Sequence, residues 1–258
     1  MTDIKIIVAT HKEYWMPSDS MYLPLHVGRE GKADLGYNGD NTGDNISLKN
    51  PNYCELTGLY WAWKNLKADY IGLVHYRRHF SNSRIFEGKK KKVISQVDLE
   101  PKLRKSPILV PVPRQYWIET NYSQYSHAHH AVDLDITREI ILERYPSYLY
   151  AFDTCMKRTI GHRFNMFIMQ YNFLDSYCAW LFDILFELET RLDLSNYSQN
   201  DSRVFGFVGE RLLDIWLDAN GYQYKEIPYV FLENQHWLKK GYAFLSRKIR
   251  QESENKLT

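Results

Sequence analysis

Asp69-Tyr70-Ile71-Gly72-Leu73-Val74-His75-Tyr76-Arg77-Arg78 is the stretch on which the reading of the fold turns. A short run of β-branched and apolar residues reads as a buried strand. It delivers His75, Arg77, Arg78 and His79 at its C-terminal end. A run of the same kind, Ile4-Lys5-Ile6-Ile7-Val8-Ala9, stops at the polar group Thr10-His11-Lys12. Open α/β sheets bind ligands beyond the carboxyl ends of their strands, so both polar clusters fall where a ligand belongs.

Working outward, further strands are expected at residues 108–113, 165–169 and 229–232. Apolar residues at helical spacing predict helices over 52–66, 135–144, 173–192 and 209–220. Pro146 ends the second of these helices and Gly221 the last. The segment 81–105 is charged and reads as irregular. Strands alternating with helices place the chain in the α/β class, with a mixed, mostly parallel central sheet flanked by helices.

A chain of 258 residues can bury a full core as one domain. The domain is expected over 1–235, followed by a basic extension over 236–258. The 20 Tyr, 12 Phe and 7 Trp are numerous enough to supply flat apolar surfaces for sugar rings, or simply an aromatic core. A net charge of +2 gives no general attraction to nucleic acid. Two local basic runs stand out: Lys89 to Lys92, and Lys239, Lys240, Arg247, Lys248 and Arg250. They read either as solvated faces or as contacts with the anionic headgroups of a membrane surface. Three widely spaced cysteines, Cys54, Cys155 and Cys178, argue for a reducing compartment. The first residues lack the apolar run of a signal peptide, and no stretch is long enough to span a bilayer. A cytoplasmic protein, peripheral at most on the inner face of the membrane, is the expectation.

Four constellations could carry chemistry. Arg77 and Arg78, with His75, follow a buried strand and form a candidate diphosphate clamp, because the guanidinium fork bonds phosphate oxygens bidentately. If the strand continued, the two arginines would point to opposite faces. The competing reading is a structural salt bridge to Asp40 or Asp44. The loop at residues 34–47 is dense in Gly, Asp and Asn. Gly36, Tyr37, Asp40 and Asn45 are its candidates, with Thr10, His11 and Lys12, for contact with a nucleotide donor. Asp44 in the same loop is a candidate catalytic acid. The third group, His127, His129, His130, Asp133 and Asp135, reads as contacts to acceptor hydroxyls. Asn165, at the start of a predicted strand, belongs with them. Asp133-Leu134-Asp135 also has the D-x-D spacing of a metal site. The fourth is Glu210, expected in the first turn of its helix, where the N-terminus favours an ionised carboxylate. It is the leading candidate for a general base.

These features resemble the bacterial DUF4422 family, found among proteins of capsule, O-antigen and exopolysaccharide synthesis. The resemblance runs through Ala9-Thr10-His11-Lys12, Leu35-Gly36-Tyr37, Gly43-Asp44-Asn45-Ile46-Ser47 and residues 53–65. It continues in His75-Tyr76-Arg77-Arg78, His130 with Asp133-Leu134-Asp135, Asn165-Met166-Phe167-Ile168, Tyr177-Cys178 and Gly206-Phe207 with Glu210-Arg211-Leu212. Pro111-Val112-Pro113-Arg114 departs from it, where a more basic run is expected.

The resemblance implies a GT-A-like, inverting glycosyltransferase that uses a nucleotide-sugar donor such as UDP-galactofuranose. The acceptor would be a glycan or a lipid-linked oligosaccharide. It implies no required cofactor, since His-Tyr-Arg-Arg stands where a D-x-D motif would be. Two alternatives remain at this level. One is a retaining transferase holding Mn2+ or Mg2+ on Asp133 and Asp135. The other is a non-catalytic module that binds carbohydrate or nucleotide.

Overall fold

The computed structural model describes residues 2–82 and 87–233. The first half of the chain forms β1 (Ile4–Thr10), β2 (Tyr22–His26), β3 (Asn38–Gly39), α1 (Asn50–Tyr53), α2 (Leu56–Asn65), β4 (Tyr70–His75), β5 (Arg78–Phe80), α3 (Gln96–Leu103), β6 (Ile108–Pro111) and β7 (Arg114–Gln115). The second half forms α4 (Asn121–Ser126), α5 (Ala131–Arg144), α6 (Leu149–Lys157), β8 (Ile160–Gly161), β9 (Phe167–Gln170), α7 (Tyr171–Arg191), α8 (Val204–Asn220), β10 (Lys225–Ile227) and β11 (Tyr229–Phe231).

The main sheet runs β10-β6-β9-β4-β1-β2-β3, with β5 turning back from β4 to pair with β11. The neighbours β4, β1, β2 and β3 are parallel, as are β10 and β6. Strand β9 lies antiparallel between β6 and β4. The carboxyl ends of β1, β2, β4, β6 and β10 therefore share one edge with the amino end of β9. This is the mixed, mostly parallel sheet that the alternating pattern predicts.

Period-two alternation in β1 sorts its side chains between two cores. Ile7 and Ala9 face the larger one, with Leu59 of α2, Ile140 of α5, Phe152 of α6, Leu181 of α7 and Ile215 of α8. Ile4, Ile6 and Val8 face the smaller one, closed by Leu99 and Leu103 of α3. Full burial of each such side chain contributes about 2 kcal/mol. Helix α2 lies directly on the sheet: a Cβ at Gly58 would sit 2.8 Å from Val27 Cγ1.

Several expected boundaries move, and the shifts matter for the site. The helix expected over 52–66 is two helices. The chain breaks at Cys54, whose φ of 53° and ψ of −131° stop α1 and leave Glu55 as the N-cap of α2. Helix α8 begins at Val204, so Glu210 lies in its second turn, beyond the reach of the helix N-terminus. Helix α5 begins at Ala131, so Asp133 and Asp135 are helical. Strand β4 ends at His75, and Tyr76-Arg77 form a tight turn that sets Arg78 opposite His75. The two arginines are thus not successive residues of one strand. The segment read as irregular contains α3, started by Ser95, whose hydroxyl accepts from the Asp98 backbone N–H. Helix α4, Asn-Tyr-Ser-Gln-Tyr-Ser, has little apolar periodicity and is started by a capping box between Thr120 and Ser123. The basic extension at 236–258 lies outside the described residues. Among the described residues, no helix is long and apolar enough to cross a membrane.

Candidate functional site

The carboxyl edge of the sheet gathers residues from distant parts of the sequence around Tyr76. His11 and Tyr14 meet the Tyr76 ring edge-on at 5.4 and 4.9 Å, and His75 lies tilted against it at 4.4 Å. Lys12 Nζ lies 5.1 Å from the same ring and the Arg77 guanidinium 5.2 Å. Tyr37 joins them by donating its hydroxyl to the Tyr14 carbonyl at 3.1 Å. Of the expected donor contacts, His11, Lys12, Tyr37, His75, Arg77 and Arg78 are therefore assembled here.

Both imidazoles in this group are biased towards the neutral form. Burial, followed by the charges of Arg78 and Arg77, pushes the His75 pKa down to about 2. Burial and then Lys12 and Arg77 lower that of His11. Both shifts work against the expected role of histidine as a cation that neutralises a phosphate. Arg77 sits at the rim, half-exposed, with Glu233 Oε2 at 3.6 Å. An exposed pair of this kind contributes little. Among the described residues, neither arginine pairs with Asp40 or Asp44.

Arg78 goes inward. Its guanidinium stacks 3.7 Å from the Phe164 centroid and 5.0 Å from that of Phe231. Its Nε is buried and has no hydrogen-bond partner among the described residues. Burial lowers the Arg78 pKa, opposed by the charges of Glu210 and Glu55. Those two carboxylates complete the inner wall. Asn165 Nδ2 donates to Glu55 Oε1 at 2.9 Å and to the Gly206 carbonyl at 3.1 Å, while its Oδ1 is buried without a partner among the described residues. Arg203 Nε contacts Cys54 Sγ at 3.1 Å. Burial raises the Glu55 pKa, the Asn165 hydrogen bond lowers it, and the like charge of Glu210 raises it again. The net shift is upward.

The backbone around this carboxylate is strained. Cys54, Phe164 and Asn165 adopt φ values of 53°, 80° and 51°. Left-handed conformations cost a non-glycine residue on the order of 1 kcal/mol or more and collect at functional sites. Three of them meet on either side of Glu55.

Other sequence candidates have structural roles instead. Thr10 is buried, and its hydroxyl donates to the Lys12 carbonyl at 2.6 Å, shaping the turn after β1. Asp40 is buried and accepts from Gly28 N at 2.8 Å, Arg29 N at 3.0 Å, Thr57 Oγ1 at 2.6 Å and the Ser47 hydroxyl. With both oxygens engaged, it anchors the loop rather than meeting a donor. Gly36 sits in an exposed turn closed by the Asp34 side chain. Asn45 makes a local turn through Gly43 O and Ser47 N. Asp44 is bonded to Asn65 and Tyr60, towards the far end of α2 from Glu55. Ten helical residues separate those ends by about 15 Å, so the structure gives Asp44 no place beside Glu210.

The histidine-rich segment is likewise engaged internally. His127 Nδ1 lies 2.6 Å from Glu119, and the His130 ring packs at 4.2 Å on Tyr197. Asp133 is buried and accepts the hydroxyls of Tyr125 and Tyr197, both at 2.6 Å. Asp135 accepts that of Tyr122 at 2.8 Å. Two residues apart on a helix, the two aspartates project about 200° from each other. They do not fit a shared divalent ion. The segment borders the site through His129, whose ring stacks at 4.2 Å on Phe207, itself 5.1 Å from the Arg203 guanidinium. Asn165, by contrast, is brought into the centre of the site.

Sequence reasoning misses Glu55 and Arg203. Glu55 reads as one residue of a continuous helix, because the break at Cys54 carries no glycine or proline signal. Pro51, at the start of α1, is the one local hint that the helices are separate.

The carboxyl edge of an open α/β sheet thus sets guanidiniums beside the desolvated carboxylate of Glu55. The chain belongs to the DUF4422 family, described as a domain of unknown function, whose model matches residues 5–221. Among solved structures it is similar to the apo form of WbbM, a bifunctional glycosyltransferase, with 32% sequence identity and a TM-score of 0.84. The match covers 90% of this chain and 46% of that one, so the chain spans less than half of WbbM. No curated protein sequence matches significantly.

Proposed function

We propose that the chain is a glycosyltransferase that moves a sugar from a nucleotide-diphosphate donor, UDP-linked, to a hydroxyl of a glycan or lipid-linked oligosaccharide. The reading rests on Arg78: a desolvated guanidinium at the carboxyl end of β4 with an unspent Nε donor. A departing diphosphate supplies the oxygens such a group lacks. Arg77 and Lys12 add charge at the rim, and the faces of Tyr76 and Tyr14 flank the nucleotide. The shared fold with a bifunctional glycosyltransferase supports the same reading.

In this proposal transfer inverts the anomeric centre and needs no divalent ion, because fixed cations take over the charge of the leaving group. Galactofuranose is the proposed sugar, on the family resemblance alone. A carboxylate of the inner wall activates the acceptor. Lys89 to Lys92 remain a proposed contact with an anionic membrane.

The deciding experiment incubates the purified chain with UDP-, GDP- and dTDP-sugars and candidate acceptors, and follows nucleotide release. Acceptor-dependent release of UDP is expected. Binding of a nucleotide sugar without release under any acceptor would reduce the chain to a binding module.

A further inference from the structure

Two carboxylates face Arg78, and sequence pattern favours Glu210. We infer that Glu55 is the residue that takes the proton from the attacking acceptor hydroxyl, while Glu210 acts as a positioning residue for the surrounding guanidiniums. The inference rests on the glycosyltransferase reading above.

Glu55 is placed by an expensive local structure. The turn at Cys54 interrupts a helix that would otherwise run on, and so sets Glu55 at the N-cap of α2. From the opposite side, Phe164 and Asn165 are both left-handed. That conformation lets the Asn165 amide reach the Glu55 carboxylate and the Gly206 carbonyl together. Among the described residues, Asn165 is the one side chain that donates a hydrogen bond to Glu55. A single neutral donor fixes the carboxylate in place without cancelling its basicity. A guanidinium fork on both oxygens would suppress it.

Beside it, Asn165 Oδ1 and Arg78 Nε are buried without hydrogen-bond partners among the described residues. Native proteins rarely leave such groups unpaired. One is an acceptor, suited to a sugar hydroxyl, and the other is a donor, suited to a phosphate oxygen. Glu55 accepts from the Nδ2 of the same Asn165 amide and lies within electrostatic reach of Arg78. This is the position a base must hold between acceptor and leaving group.

The surroundings of Glu210 differ. From the second turn of α8 its charge acts on Arg211 as well as on Arg78 and Arg203, the two arginines that Glu55 also influences. Its charge favours the ionised form of each guanidinium.

The step balances as a displacement. The acceptor oxygen forms a bond to the anomeric carbon, and the bond from that carbon to the diphosphate oxygen breaks. Its electron pair leaves with the diphosphate towards Arg78 and Arg77. The hydroxyl proton passes to Glu55 and then to solvent. Glu55 must be ionised to accept it, so the rate rises with pH through its pKa. The groups that set this titration are Asn165, Glu210, Arg78, Arg203 and Cys54. The upward shift moves the acid limb towards neutral pH.

The test compares the full-length wild type, Glu55→Gln and Glu210→Gln. UDP binding is followed by calorimetry, and transfer from the donor found active is followed from pH 5 to 9. Glu55→Gln is expected to bind UDP within about threefold of wild type, to lose about 1,000-fold in kcat, and to lose the acid limb. Glu210→Gln is expected to weaken UDP binding and to keep the acid limb. Transfer by Glu55→Gln within about tenfold of wild type, with its acid limb intact, would overturn the assignment while leaving the glycosyltransferase reading standing. Loss of the limb in Glu210→Gln alone would reverse the two roles. A wild type that binds UDP-sugars but never transfers them would overturn both. An unchanged melting temperature for Glu55→Gln separates loss of chemistry from loss of fold.

Discussion

Asn165 Nδ2 donates to Glu55 Oε1 across 2.9 Å, joining residues 110 positions apart at the carboxyl edge of the sheet. The bond exists because both residues accept unfavourable surroundings: Asn165 a left-handed backbone, and Glu55 a desolvated carboxylate. If it orients Glu55 for proton transfer, removing it should act on turnover more than on donor affinity. Asn165→Ala is expected to lower kcat by about 30-fold and stability by about 2 kcal/mol. Asn165→Gly relieves the backbone and should recover stability but not turnover. Full activity in the glycine variant, measured by nucleotide release, would leave the hydrogen bond with a structural role only.

Arg78 and Arg77 should separate in their effects on donor binding. Charge-assisted hydrogen bonds contribute about 1.5–3 kcal/mol each when desolvated and far less when exposed. Arg78→Ala is therefore expected to weaken UDP binding about 100-fold, and Arg77→Ala by tenfold or less. Arg78→Lys should recover little, since it loses the planar stack on Phe164 as well as the fork. Calorimetry with UDP gives the comparison. Unchanged affinity in both alanine variants would remove the arginines from the donor site.

Chelation is expected to leave transfer within about twofold, because the proposed leaving-group charge meets guanidiniums and Lys12. Asp133 and Asp135 are bonded to tyrosine hydroxyls and diverge on α5. Assays with EDTA, and then with added Mn2+ or Mg2+, check this. Abolition by EDTA with recovery on adding metal would favour a metal-dependent transfer.

Asp40 should matter for stability and not directly for chemistry. Asp40→Ala leaves two backbone N–H groups and two hydroxyls without their buried acceptor. A loss of about 3 kcal/mol is expected. For a chain of this size each kcal/mol moves the melting temperature by about 2–4 °C. Calorimetric melting of the variant tests the expectation, and a shift below about 3 °C would contradict it.

A buried ionic group elsewhere gives a pH signature. His162 lies under Asp214, with Glu226 at 3.4 Å from its Nε2 and Arg163 also against Asp214. Burial alone would lower its pKa, but the hydrogen bond and charge of Asp214, with Glu226, raise it overall. A raised folded-state value means that the protonated form is bound more tightly in the native protein. The stabilisation is complete below the unfolded pKa of about 6.5 and is lost as pH rises through the higher folded value. Wild type should therefore lose more stability than His162→Gln between pH 6 and pH 9. Parallel urea midpoints for the two proteins across that range would show that His162 does not titrate as described.

Much of the architecture is legible in the sequence. The runs at Ile4 and Tyr70 are short, branched and apolar, and only a buried strand satisfies them. The polar residues that follow, His11, Lys12, His75, Arg77 and Arg78, fall at strand ends, and parallel pairing of β1 with β4 carries them to one place. The elements that escape are those with a weak periodic signal, such as α4, which a capping box starts.

The sequence by itself determined the class of fold, the edge where a ligand belongs and the arginines that wait there, because hydrophobic periodicity and strand ends are local properties. Only the tertiary structure decided which acids join them. Asp44 is carried off along α2, Asp133 and Asp40 are consumed by internal hydrogen bonds, and a backbone break at Cys54 sets Glu55 against Asn165. The difference is physical. A residue's period is written in its neighbours, whereas a carboxylate's role depends on which distant donors fold against it and how much water they exclude.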